Sequence, residues 1–432
     1  MRQWRLIVLL GCELAVLIAL AGVGDLRRHV PLFIWLFVAA AALYLPAVLT
    51  AMQMRLSFAA VLVIALQLRV PMFLTEPTLS DDVWRYLHDG RAQHAGVNPY
   101  LYAPADARTA QYRGPEYANI NHPNLPTIYP PVAQYAFRMA AASAAPLFVW
   151  RLMLLAAEVA TLIAGALLLK KRGLPPANLA LYAWHPLAIV EGIGSAHLEP
   201  LGIAFLVVTA GWLASGPRAR AGAALALSVA TKLVAAPLLM LQARHARLTA
   251  CFALTLLAVY LPFMTDGSNV FGSLRIFGET WESNGSIYTL VAPLLGGREY
   301  RLMAAGVLML LLAGLAWYRW AFTEAGFAFF FALFLFSPVV HPWYLLWLLA
   351  FLPFRKQPFD RTGLAALLWT CSVVTSYSAH QQQLATGTWH IPANLLLAEY
   401  VPVYLLLISA ATSLPFSQMK LTPMIMKNPA NM

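Results

Sequence analysis

Charge is scarce in this chain. Only 11% of its 432 residues are Asp, Glu, Lys or Arg, against 60% hydrophobic residues, a balance that excludes both an ordinary soluble domain and a disordered polymer. Acidic residues are scarcer than basic ones, 18 against 29, for a net charge of +11. A nucleic-acid partner is excluded all the same, because the Lys and Arg residues fall mainly in short loops between apolar runs, where they set membrane orientation. Cysteine is rarer still. The three residues, Cys12, Cys251 and Cys371, all lie inside apolar runs with no metal-like spacing, so neither a disulfide framework nor a zinc site is expected.

Long apolar runs are abundant. They recur from the first residues to about position 414, which points to one all-α, polytopic integral membrane domain over residues 1–432. The start, "MRQWRLIVLLGCELAVLIALAGVG", has the basic and apolar parts of a signal peptide but no clear small-x-small cleavage site, so it reads as a retained first helix. Spans are expected near residues 6–24, 31–50, 57–74, 148–169, 178–193, 200–214, 221–241, 248–264, 302–319, 326–339, 343–354, 362–379 and 394–414. Basic clusters at 2–5, 170–172, 216–221, 242–247, 317–320 and 354–361, with Lys420 and Lys427 in the tail, mark cytoplasmic loops and put both termini inside.

Residues 221–241 have basic loops at both ends and must therefore turn back. "LSVATKLVAAP" places Lys232 at that turn, and splitting this segment gives about fourteen transmembrane or half-spanning helices. The non-cytoplasmic side then receives residues 75–147, 265–301 and 380–393. Several pieces are too short to cross alone, and backbone that leaves a helix inside lipid must line a cavity.

Residues 80–100 read "SDDVWRYLHDGRAQHAGVNPY". Ser80 is a helix-start residue, and acids in a first turn suit the positive end of the helix. Asp82, Arg85, Tyr86 and Asp89 share one face, with Asp81 about a quarter turn away. Capping carboxylates satisfied by Arg85 and Arg91 would be the plain explanation. At a membrane boundary beneath a cavity, however, ionisable groups are costly enough to point to function.

Taken in order, "DDVWRYLHDGRAQHAGVNPY", "YPPVAQYAF", "HPLAIVEGIGSAHLEPLGIAF", "SVATKLVAAPLLML", "ETWESNGSIYTL" and "VVHPWYLLWLL" resemble the GT-C superfamily of membrane glycosyltransferases. Within it they look like the polyprenyl-phosphate-mannose-dependent mannosyltransferases. The resemblance covers residues 75–350 with gaps, and departs from the family where Glu199 stands in place of the usual Asp. It implies transfer of a hexose, with mannose as the expectation, from a polyprenyl-phosphate sugar to a lipid or glycan acceptor at the outer face of a bacterial inner membrane. An aspartate in the first external loop would be the general base, Asp82 ahead of Asp81 because of the face it shares, unless Arg85 ties it up. The donor phosphate would be held by Lys232, a lysine deep in an apolar hairpin, together with His341 and Arg275; Arg298 and Arg301 have weaker claims.

Sugar or acceptor contacts would come from Tyr86, Asp89, Tyr129, His197, Glu199, Trp281, Glu282, Asn284 and Tyr344. His197 and Glu199, two residues apart, do not share a helix face, so a helix-borne metal pair is absent from the pattern and Glu191, His197 and Glu199 read as a hydrogen-bonding cluster. No metal ligands are assigned, and whether a divalent cation assists is left open. A lipid or glycolipid transporter is the competing reading. It would lead one to expect two similar halves, whereas the long polar insertion after the third span has no counterpart in the second half.

Overall fold

The structure is a computed structural model that describes residues 1–265 and 267–412. Lys420, Lys427 and the last two residues of the span expected to reach 414 lie outside the described residues.

The chain opens with a hairpin of α1 (Arg2–Gly22) and α2 (Val30–Gln53). The Asp25 carboxylate accepts the Arg27 amide at 3.1 Å in the turn between them. α3 (Phe58–Phe73) starts at Ser57, whose hydroxyl accepts the Ala60 amide at 3.3 Å and so satisfies one free N–H of the first turn. The loop that follows carries α4 (Asp82–His94) and α5 (Pro131–Ala141), and the chain then returns in α6 (Pro146–Lys171). Both α5 and α6 begin on proline, whose missing N–H costs nothing at that position.

Beyond α6 the path is broken. A short α7 (Ala180–Ala183) leads to a π-helical turn, Ala188–Gly194, and the chain bends by 116° into α8 (Glu199–Ser215). Two buried arginines make these breaks tolerable inside an apolar body. Arg69 pairs with Glu158 and donates to the Ala183 carbonyl at 2.6 Å. Arg151 donates to the Ile193 and Gly194 carbonyls at 3.0 and 2.7 Å. Carbonyls that a regular helix would have satisfied thus find partners without water.

α9 (Arg218–Val229) follows, then a turn at Lys232, a 3-10 segment Leu233–Gln242, and α10 (Ala246–Tyr260). The helix thus breaks at Lys232, where a turn is expected from the sequence, and Lys232 itself is extended at φ −152° and ψ 125°. α11 (Gly272–Thr280) and α12 (Ile287–Leu295) precede α13 (Gly297–Trp317), α14 (Phe322–Phe336) and α15 (Leu345–Leu349). The described residues end in α16 (Arg361–Ser372), α17 (Ser378–Thr386) and α18 (Ala393–Thr412). The segment expected as a loop from 380 is therefore helical as far as Thr386, and α13 begins five residues before the expected 302.

Among the described residues the fold is all-helical with no strand, apart from isolated bridges that join Ser283 and Asn284 to Val339. Among the described residues six helices are long and apolar enough to cross a membrane, seven if the bent pair counts as one span; α3, Leu233–Gln242, α14 and Pro342–Phe354 are apolar but shorter. The fold is thus a polytopic membrane body in which much of the expected count is made of short or broken legs. At one end, Arg172 lies 3.7 Å and Arg355 3.5 Å from Glu324, bringing three of the basic loops together. The other end holds α4 and α5. There Tyr86 stacks on Phe137 at 4.5 Å, and Trp150 meets both rings edge-on. This aromatic cluster, with Ile193 and Leu198, is the platform on which the start of α4 rests.

Candidate active site

A cavity of about 860 Å³ opens at the α4 end of the body. Its walls come from elements distant in sequence: the α1–α2 turn, the start of α4, the segment before α5, the Lys232 turn, α11, the stretch before α15, and α17.

The two acids that head α4 separate. Asp81 forms an ion pair with Arg27 from the α1–α2 turn. Asp82 has no arginine or lysine within ion-pair distance among the described residues; its Oδ1 accepts a long hydrogen bond from the Asn121 amide at 3.4 Å, and its Oδ2 lies 3.7 Å from His197 Nδ1. Arg85 does not tie it up, because its guanidinium turns to Asp89 at 2.7 Å and the Leu125 carbonyl at 3.0 Å. Burial pushes the Asp82 carboxyl above its ordinary range, opposed by the Lys232 ammonium and the Asn121 amide, while the Asp81 charge pushes it further up. A carboxylate more basic than usual and still reachable from the cavity suits a proton acceptor.

Across from it, Lys232 forms an ion pair with the fully buried Glu199 and lies 4.1 Å over the Tyr344 ring. His197, Trp343 and His341 make a continuous stack, with centroids 3.8 and 4.5 Å apart. Tyr129, Trp281, Glu282, His341 and Tyr344 line the cavity. His122, at φ 45°, packs its ring against Trp281 at 4.7 Å and closes that side.

Several expected site residues are placed elsewhere. Tyr86 is 1% exposed inside the aromatic platform, where its ring is fully used in packing. Asp89 is buried between Arg85 and the Gln134 amide at 3.1 Å, so its charge holds α4 to α5. Asn284 turns inward and donates to the Glu399 carboxylate at 3.0 Å. Arg275 is 79% exposed and pairs with Glu279 on the outside of α11, at 2.9 Å. Arg298 is exposed and Arg301 lies 3.5 Å from Glu282.

Sequence reasoning missed Arg27, Arg28, Asn121, Tyr377 and His380, all of which line the cavity. The signal for the arginines was present: "DLRRH" places two positive charges in a loop on the side opposite the other basic loops, against the usual bias, and such charges need partners. His380, held down to about 4 by burial and then by Arg27, adds no charge at neutral pH. Among the described residues no group of three or more His, Cys, Asp and Glu side chains is placed to hold a metal ion.

These features define a polytopic helical membrane protein built around a polar, aromatic-walled cavity at one end. Residues 8–264, more than half of the chain, match the family model described as the MptA_B family, alpha-(1->6)-mannopyranosyltransferase, N-terminal domain. The chain belongs to this family of mannosyltransferases. No curated protein and no solved structure matches it.

Proposed function

We propose that this protein is an inverting mannosyltransferase that uses a polyprenyl-phosphate mannose donor and a lipid or glycan acceptor, with Asp82 as the general base. The acceptor oxygen attacks the anomeric carbon, its proton passes to the Asp82 carboxylate, and the bond from that carbon to the phosphate oxygen breaks. A sugar hydroxyl is a poor nucleophile at neutral pH, so one well-placed base is needed. Polyprenyl phosphate leaves as a stable anion and needs no general acid; this differs from glycosidases, which use two carboxyl groups. Lys232, Arg27 and Arg28 supply positive charge at the cavity for the departing phosphate.

The observation that carries the reading is the division of labour between neighbouring acids: Asp81 is paired with Arg27, while Asp82 faces the cavity opposite Lys232. The cavity end bears α4 and lies away from the loops of Arg172 and Arg355, which supports a site on the non-cytoplasmic face of a bacterial inner membrane. Purified protein given radiolabelled polyprenyl-phosphate mannose and a lipid-extract acceptor should release polyprenyl phosphate and label the acceptor. Absence of turnover with mannose, glucose and galactose donors alike would reject the proposal.

A further inference from the structure

His197 stands at the break between the π-helical turn and α8. The residue before it, Ala196, has φ 58°, and its carbonyl accepts the Trp150 indole N–H at 2.8 Å. A side chain in the left-handed region costs energy, and here that backbone turn delivers the His197 ring into a fully buried position flat against Trp343. Its Nδ1 faces Asp82 Oδ2 at 3.7 Å and its Nε2 faces Glu191 Oε2 at 3.6 Å. Among the described residues neither ring nitrogen has a hydrogen-bond partner, and neither has Glu191 Oε2. The other Glu191 oxygen accepts the Tyr377 hydroxyl at 2.8 Å. Lys232, from the turn after α9, and His341, from the stretch before α15, are the other charged or titratable groups acting on His197.

A neutral imidazole carries one N–H and can serve only one of two flanking carboxylates. The proton between Asp82 and Glu191 can therefore sit at either end of the ring, and a small movement decides which. We infer that His197 and Glu191 form a proton relay behind Asp82, acting as positioning residues for the base rather than as sugar contacts. The step starts with Glu191 ionised and the imidazole proton on Nε2: when the acceptor hydroxyl has given its proton to Asp82, the carboxyl hands a proton to His197 Nδ1 as Nε2–H passes its own to Glu191 Oε2. Asp82 is again a carboxylate, the imidazole is neutral in its other tautomer, and the proton stays on the fully buried Glu191 until product leaves; it then returns through His197 to Asp82, which lines the cavity and passes it to water. While the proton is on Glu191, the acceptor oxygen cannot recover it from Asp82 and reverse the attack.

The relay rests on Asp82 being the base, and the test separates the two. Turnover of labelled polyprenyl-phosphate mannose is measured for wild type, Glu191→Gln, His197→Gln and Asp82→Asn, against pH and in mixtures of light and heavy water. Glu191→Gln preserves shape and can still accept from Tyr377, so it remains informative if His197→Gln fails to fold. The relay predicts a fall in kcat of about tenfold to hundredfold in both relay variants, below the ~10²–10⁴ expected for the base itself. The donor KM stays unchanged, and a bowed dependence on deuterium fraction in wild type becomes straight. If Asp82→Asn keeps turnover, the base assignment fails and the relay with it. If Asp82→Asn is dead while Glu191→Gln keeps wild-type kcat and isotope dependence, the relay alone is overturned; a rise in KM without loss of kcat would instead make His197 a sugar contact.

Discussion

The Val132 amide donates to the Ala230 carbonyl at 2.8 Å. A free N–H in the first turn of α5 is thereby satisfied by the last carbonyls of α9, and the loop carrying Asp82 is tied to the turn carrying Lys232. Asp82 and Lys232 are thus held in one packed body, and disturbance of α5 should reach the lysine.

Asp82→Asn should lower kcat by about 10²–10⁴, the usual contribution of a general base, with donor binding retained. Asp81→Asn should act more mildly, through loss of the Arg27 ion pair that steadies the cavity rim. Steady-state kinetics and donor binding on both variants check this, and equal effects would contradict the separate roles.

The pH profile follows from the direction of the Asp82 shift. The base works only when ionised, and burial raises its carboxyl above the ordinary value near ~3.9. Log kcat/KM should therefore rise with pH through a limb displaced upward from a free aspartate. Lys232 pulls that carboxyl down, so Lys232→Gln should move the limb to still higher pH.

Lys232→Gln should also raise the donor KM about tenfold to hundredfold, corresponding to ~1.5–3 kcal/mol for a lost charged hydrogen bond. It leaves Glu199 buried without its cation, which destabilises by ~3–5 kcal/mol. Adding Glu199→Gln should restore thermal stability while donor binding stays weak. Recovery of both together would show that the lysine is structural.

Gly90 lies where α4 crosses α5. A Cβ there would fall 2.2 Å from the Phe137 carbonyl oxygen, which is backbone and cannot step aside. Gly90→Ala should cost ~1–3 kcal/mol by overpacking and depress turnover, as read by thermal unfolding and kcat.

Arg275→Ala should leave donor KM unaltered, because this exposed side chain pairs with Glu279 away from the cavity. A rise in KM would restore the phosphate role expected from the sequence.

The break at Lys232 was legible because residues 221–241 have basic loops at both ends, and a segment whose two ends lie on one side of a membrane must turn back. The acidic pair at the start of α4 was legible for a similar reason, since charge at a membrane boundary is expensive. Helical spacing misled at Tyr86 and Asp89. They share a face with Asp82, but that face runs from the cavity at its first turn into the α5 packing one and two turns later, so period alone could not tell them apart.

Scarcity of charge, long apolar runs and the placement of basic loops determined by themselves that this chain is a helical membrane protein, because transferring charge or unpaired backbone into lipid costs too much for other folds. Which acid is free, what Arg85 and Asn284 bind, and the seating of His197 between Asp82 and Glu191 were decided only in three dimensions. Those outcomes depend on contacts between distant segments: Arg27 before α2 with Asp81, His197 after the π-helical turn with Asp82, and Asn284 with Glu399 of α18. Contacts between segments so distant along the chain leave no periodic trace in the order of residues.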